Sequence, residues 1–315
     1  MQRIFLKGLG AETSALGFGC ASLGSRVSET AGLAALTAAF DAGVGWYDIA
    51  PAYGAGAAEA ILGRFVKTRR DSVQICTKVG LLPPPQSATK RILRSALRPV
   101  VNVAKPLRTA LRGSAASQNR AIPLTPEGVT ASIEGSLRRL GTDHVDVYAL
   151  HNAAPEDLSN DALLRALEDL LTAGKARAIA VAGGIDTAQA AIAAGGPVRV
   201  VQFAQPPAAQ EAVFAAAAAA GIGCVTHSVF GIGGALGHLT ARLRAEPALL
   251  ARLAAAGFSG PPEAAAAALL LARAREANGA GVILLSMFSA RSRERNLSAP
   301  APLSSAAALC ADLGI

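Results

Sequence analysis

Short apolar, often β-branched runs alternate along this chain with longer stretches in which apolar positions recur every three or four residues. The alternation repeats eight times. The short runs predict strands at residues 15–20 (ALGFGC), 45–49 (GWYDI), 72–78 (SVQICTK), 145–151 (VDVYALH), 176–182 (ARAIAVA), 198–203 (VRVVQF), 223–228 (GCVTHS) and 281–286 (GVILLS). They are nearly continuous in apolar character, as strands of a parallel sheet covered by helices must be. The intervening segments carry helix ends. Thr125-Pro126 supplies an N-cap and a proline at the first helical position, and Ser159 or Asn160 opens a helix that closes at Gly174-Lys175. Eight strand–helix units predict an α/β fold, a (β/α)8 TIM barrel preceded by a short N-terminal hairpin. The 315 residues then form a single domain, 1–315.

The competing architecture is a doubly wound dinucleotide domain, suggested by the glycine-rich GFGCASLG at residues 17–24. Its fingerprint is broken. Ser22 stands where the third glycine belongs, and Asp48 lies well beyond the usual spacing of about 20 residues.

Composition changes the picture in two places. Hydrophobic residues make up 51% of the chain but aromatics only 4%, so the apolar character comes largely from alanine and suits a soluble core. Residues 212–241 contain no charged side chain and exceed the roughly 20 residues of a membrane span. His227, His238 and the GIG and GIGG turns divide that stretch into an alanine-rich helix, a short strand and a glycine loop. No charged segment followed by an apolar run opens the chain. Cys20, Cys76, Cys224 and Cys310 are widely spaced with no Cys-x-x-Cys. Both features predict a cytoplasmic, reduced location, without zinc or another metal.

In a barrel of this kind, residues at the C-terminal strand ends and in the following loops share one pocket. Asp48 ends the second predicted strand, Lys78 the third and His151 the fourth, while Tyr53 sits in the loop after the second. A strand-end Asp alone is a common turn residue, and a lone Lys or His there is commonly solvated. Polar groups on three successive strand ends of an otherwise apolar sequence predict a site.

The motifs GWYDIAPAYG (45–54), ICTKVG (75–80), SLRRLGTDHVDVYALHN (136–152), LEDLLTAGKARAIAVAG (167–183), VVQF (200–203) and HSVFGIGGALG (227–237) together resemble an aldo-keto reductase, in order and spacing, over nearly the whole chain. The resemblance implies interconversion of a carbonyl (aldehyde, ketone or aldose) and an alcohol. The hydride comes from a nicotinamide cofactor, because no side chain supplies one. It implies Tyr53 as proton donor, Lys78 and Asp48 as the pair that tunes it, and His151 as the group orienting the substrate oxygen. A lysine ammonium beside a phenol is expected to lower the phenol's pKa, with Asp48 keeping the lysine charged.

For the cofactor, the resemblance places Gln202 at the nicotinamide carboxamide, His227 where a stacking aromatic usually stands, and Ser228, Gly231 and Gly233 in a phosphate-approaching loop. Asn296 falls at the adenine. The Ser-Asn pair usual after the fifth strand is Ala182-Gly183 here. Ser292 replaces an arginine, with Arg291 and Arg293 on either side, and Arg295 replaces an acid. Arginine forks suit phosphate, which favours NADP(H) over NAD(H). A second implied reading is a cofactor-holding regulatory or interaction protein, as in potassium-channel beta subunits.

Residues 79–126 form a long insert after the third strand. It holds Lys90, Arg91, Arg94, Arg98, Lys105, Arg108, Arg112 and Arg120 and no acid, a basic excess equal to the net charge of +8 of the whole chain. On a helical projection the basic residues from 90 to 112 share one arc, with apolar residues opposite and Pro99 and Pro106 interrupting. The favoured expectation is a lid over the barrel mouth. An anionic small-molecule or sugar substrate is the sharper alternative, and attachment to an anionic membrane surface a less favoured one. Nucleic acid is not expected, since aromatics are not interleaved with the basic residues.

Overall fold

The computed structural model describes residues 1–83, 119–231, 234–298 and 306–314. The basic arc at residues 90–112 and Gly233 lie outside them. The first two strands, β1 (Arg3–Leu6) and β2 (Ala11–Ser14), form the antiparallel hairpin. Eight further strands close a parallel barrel: β3 (Leu16–Gly19), β4 (Trp46–Asp48), β5 (Gln74–Val79), β8 (Val145–His151), β9 (Ala176–Ala182), β10 (Val198–Ala204), β11 (Gly223–His227) and β12 (Val282–Leu285). Neighbours follow chain order, and β12 pairs with β3 to close the ring. The remaining strands, β6 (Leu81–Leu82) and β7 (Arg120–Ala121), pair antiparallel and form the stem of the insert.

Side-chain alternation along the strands divides the core. One set, including Trp46, Cys76, Val147, Ala149, Ala178, Ala180, Val200, Val225 and Leu284, fills the barrel. The other set, including Tyr47, Ile75, Tyr148, Ile179, Val201 and Phe203, packs outward beneath the helices. The single Trp46 is completely buried, and a Cβ on Gly17 of β3 would collide with its ring. The hairpin caps the N-terminal end: Leu6 belongs to the barrel-filling set, and a Cβ on Gly8 would collide with the Arg199 carbonyl.

The helix ends follow their cap chemistry. Thr125 Oγ1 accepts from the Gly128 amide to start the helix Pro126–Leu140, and Asn160 Oδ1 accepts from the Leu163 amide to start Asp161–Thr172. The charge-free stretch resolves into the helix Ala212–Ala219, strand β11 and a loop. Among the described residues, no helix is long and apolar enough to cross a membrane.

Candidate active site

The alternation that fills the barrel also builds its mouth. Two residues beyond Trp46 on β4 is Asp48, beyond Cys76 on β5 is Lys78, and beyond Ala149 on β8 is His151. Beyond Val200 on β10 is Gln202, and beyond Val225 on β11 is His227. Each is the next inward position toward the C-terminal rim, so the strand pattern alone makes the five converge.

Lys78 is 1% exposed, and its Nζ donates to Asp48 Oδ1 at 2.5 Å and to the Ile49 carbonyl at 3.0 Å. Its ammonium stands 5.2 Å from the centre of the Tyr53 ring. Tyr53 reaches this place because the loop after β4 is tightly wound. Gly54 and Ala55 both have left-handed backbone, and a Cβ on Gly54 would collide with the Leu23 carbonyl. The Tyr53 and His151 rings meet edge to face, with centres 6.3 Å apart. The four residues read from the sequence are therefore gathered around one ammonium.

Their electrostatics follow from depth. Burial pulls Lys78 toward losing its proton, but Asp48 beside it, with further contributions from Tyr53 and Cys76, raises its pKa on balance, so the cation persists. For Tyr53 the balance runs opposite to the sequence expectation. The charge of Lys78 does lower the phenol's pKa, yet burial is larger and the net shift is upward. The phenol thus holds its proton firmly. His151 is pushed down to about 3 by burial, then by the Lys78 charge and His227, which leaves a neutral imidazole.

The cofactor candidates fare unevenly. Gln202 is 5% exposed, and its Oε1 is buried without a hydrogen-bond partner, an orphaned atom of the kind a bound amide satisfies. His227 lies four strands from β5 in the ring, across the mouth from Lys78, and its Nδ1 sits 2.9 Å from Ser228 Oγ. Burial lowers its pKa, with Asp48 and Lys78 acting in opposite senses. Ser228 itself has a left-handed backbone, as does Gly231.

Past β12, Arg291 pairs with Glu263 at 3.2 Å, and Arg293 donates to the carbonyls of Met287 and Phe288. Arg293 is thus turned to the protein's own carbonyls, while Arg291 is exposed with a single ion pair. Asn296 is buried, its Nδ2 donating to the Ser286 carbonyl and its Oδ1 accepting from Arg295. Sequence reasoning passed over Arg295 as a mere departure, yet its guanidinium lies 4.7 Å from the centre of the Phe230 ring. Ser286, next inward after Leu284, also went unremarked, although the period of two points to it. A cleft of about 490 Å³ opens beside the mouth, between the loop Pro51–Gly56, the insert stem at Leu82 and the face of Gly128, Ser132 and Gly135.

A closed parallel barrel with an acid, a lysine, a phenol and an imidazole at its C-terminal rim defines a class of barrel built for proton transfer at a small polar group. The chain belongs to the aldo/keto reductase family, whose model matches residues 15–278. It is 33% identical over 233 residues to a D-threo-aldose 1-dehydrogenase of a Pseudomonas species, covering 70% of this chain and 66% of that protein. It is 29% identical to the Schizosaccharomyces pombe aldo-keto reductase yakc [NADP(+)], covering 61% of this chain and 49% of that one. The match thus spans about half to two thirds of these relatives' lengths. The holo form of an aldo-keto reductase from Bacillus halodurans superposes with a TM-score of 0.72 at 19% identity, over 99% of this chain and 96% of that one, which shows the shared fold.

Proposed function

We propose that this protein interconverts an aldehyde, ketone or aldose and the corresponding alcohol with NADP(H), Tyr53 acting as proton donor, within one barrel domain, 1–315. One observation carries the reading: a fully buried Lys78–Asp48 pair lying 5.2 Å under the ring of a protonated phenol, with a neutral imidazole at its edge.

A nicotinamide supplies the hydride that no side chain can. Gln202, His227, Ser228 and Gly231 would hold that end of it, and the unpartnered Gln202 Oε1 fits its carboxamide. Ala182 and Gly183 offer no side-chain hydrogen bond there, so Gln202 bears more of that contact. In the reductive direction an oxyanion grows on the substrate. The Tyr53 hydroxyl delivers its proton to that oxygen, and the adjacent ammonium stabilises the phenolate left behind. Asp48 holds the ammonium in place. His151, neutral and edge-on to Tyr53, directs the substrate oxygen toward the hydroxyl.

The relative named as an aldose dehydrogenase supports a sugar or other polyhydroxy substrate, and the one named with NADP(+) supports the phosphorylated cofactor. The eight basic residues of the insert follow directly on β5 and favour an anionic one. The decisive variant is Tyr53→Phe, assayed by nicotinamide absorbance against a panel of aldehydes, aldoses and their phosphates. Turnover is expected to fall by at least about 10³-fold with dinucleotide binding and melting temperature retained. Turnover near wild type in that variant would remove the proposal.

A further inference from the structure

The inward positions of β4 and β5 set one further polar side chain against the Lys78–Asp48 pair. Asp48 and Cys76 are direct partners in the parallel ladder, and Cys76 belongs to the barrel-filling set. Both side chains therefore point into the ring, level with each other, from strands about 4.8 Å apart. Lys78, the next inward position on β5, stands nearer the rim and takes Asp48 Oδ1. Asp48 is only 3% exposed, and its Oδ2 is buried with no hydrogen-bond partner among the described residues. A charged oxygen without a donor at that depth is strongly destabilising, so a neighbouring group is expected to serve it.

The side chain level with it is a thiol. Cys76 is 1% exposed, and burial first, then the charge of Asp48, push its pKa up, so it stays an S–H donor rather than a thiolate. The titratable groups around Asp48 are Cys20, Tyr53, Lys78 and His227, with His151 facing Lys78 from β8; Asp146, which acts on Cys76 from β8, is held by Arg70. The other nearby thiol, Cys20, already donates to the Phe18 carbonyl. Trp46 Nε1 is buried and unpartnered as well, but Trp46 lies one inward position below Asp48, level with Gln74. What donation to Oδ2 would do follows from charge. It spreads part of the carboxylate's negative charge, and that charge is one of the influences raising the pKa of Tyr53. Without the donor, the phenol keeps its proton to higher pH.

We propose that Cys76 is a positioning residue of this site: its thiol donates to Asp48 Oδ2 and, through Asp48 and Lys78, sets the pH at which Tyr53 exchanges its proton. The inference rests on the reading of Tyr53 given above.

Alcohol oxidation needs Tyr53 as the phenolate, the reverse of its part in reduction, so its rate rises with pH. Two replacements separate donor from volume. Cys76→Val fills the space without a donor, and Cys76→Ser keeps a donor with less volume. Cys76→Val is expected to move the rise to higher pH, lowering kcat for oxidation about three- to tenfold on its acid side and converging with wild type at the plateau, whereas Cys76→Ser should follow the wild-type profile within about twofold. A readout without turnover is infrared absorption. The S–H stretch of Cys76, isolated as wild type minus Cys76→Ser, should lie below that of Cys224, which packs in the apolar set outside the ring. A Val profile that coincides with wild type, a Ser profile displaced as far as that of Val, or coincident S–H bands each overturn the proposal while leaving the Tyr53 reading intact. A displacement given by Trp46→Phe and not by Cys76→Val assigns Oδ2 to the indole and overturns it too. Wild type without oxidation activity, or Tyr53→Phe with wild-type turnover, would overturn the parent reading and this role with it.

Discussion

An ammonium that water cannot reach survives only beside a countercharge, and Asp48 is the acid within reach of Lys78. Removing one partner is therefore worse than removing both. Asp48→Asn should cost about 3–5 kcal/mol in urea unfolding, whereas Asp48→Leu with Lys78→Met should recover most of that while remaining without turnover. A single variant as stable as the parent would show that the pair is not coupled as described. The histidines carry a pH signature. His151 has a folded pKa near 3 against an ordinary 6.5, so between those values the unfolded chain binds a proton that the native chain refuses. Stability is complete above pH 6.5 and falls as pH drops toward 3, with His227 acting in the same sense. The wild-type minus His151→Gln difference in unfolding free energy should shrink from pH 7 to pH 4; a flat difference refutes the assignment. These residues could be read from the sequence because each is a polar position in step with a period of two. The direction of the Tyr53 shift could not. It depends on how deeply a loop phenol is covered, and burial outweighed the nearby charge. The stack of Arg295 on Phe230 was equally hidden, since it joins a helix and a loop whose residues are 65 positions apart in the chain.

Among the elements, β8 and β9 match the predicted spans residue for residue, because apolar runs there end at a histidine and at a helix-starting glycine. The strand β4 is shorter than its apolar run. Its ladder stops at Asp48, although the Ile49 amide still reaches the Cys76 carbonyl. The stem of the insert begins at a glycine for a reason. Gly80 has φ +121° and passes so close to β8 that a Cβ would collide with the His151 carbonyl. Gly80→Ala is expected to cost about 1–3 kcal/mol and, by displacing His151, to lower kcat/KM. Melting temperature and kinetics together check it, and an unperturbed enzyme would mean that the strand end yields freely.

At the scale of the molecule, the eightfold alternation of the sequence carried the architecture, since strand–helix units of this length close only as a barrel or spread as a doubly wound sheet, and the broken glycine fingerprint decided between them. What no pattern could supply is the filling of the ring, where a glycine on β3 makes way for the Trp46 indole. The ring also has a seam: Ile283 pairs with Leu16, partners separated by nearly the full length of the chain. Such a seam is made last. While the polypeptide leaves the ribosome, β3 offers an unpaired edge until β12 emerges, and contacts of so great a sequence separation form slowly. A chain cut short before β12 is therefore expected to leave the ring open along β3, an edge that invites chaperone capture or edge-to-edge aggregation.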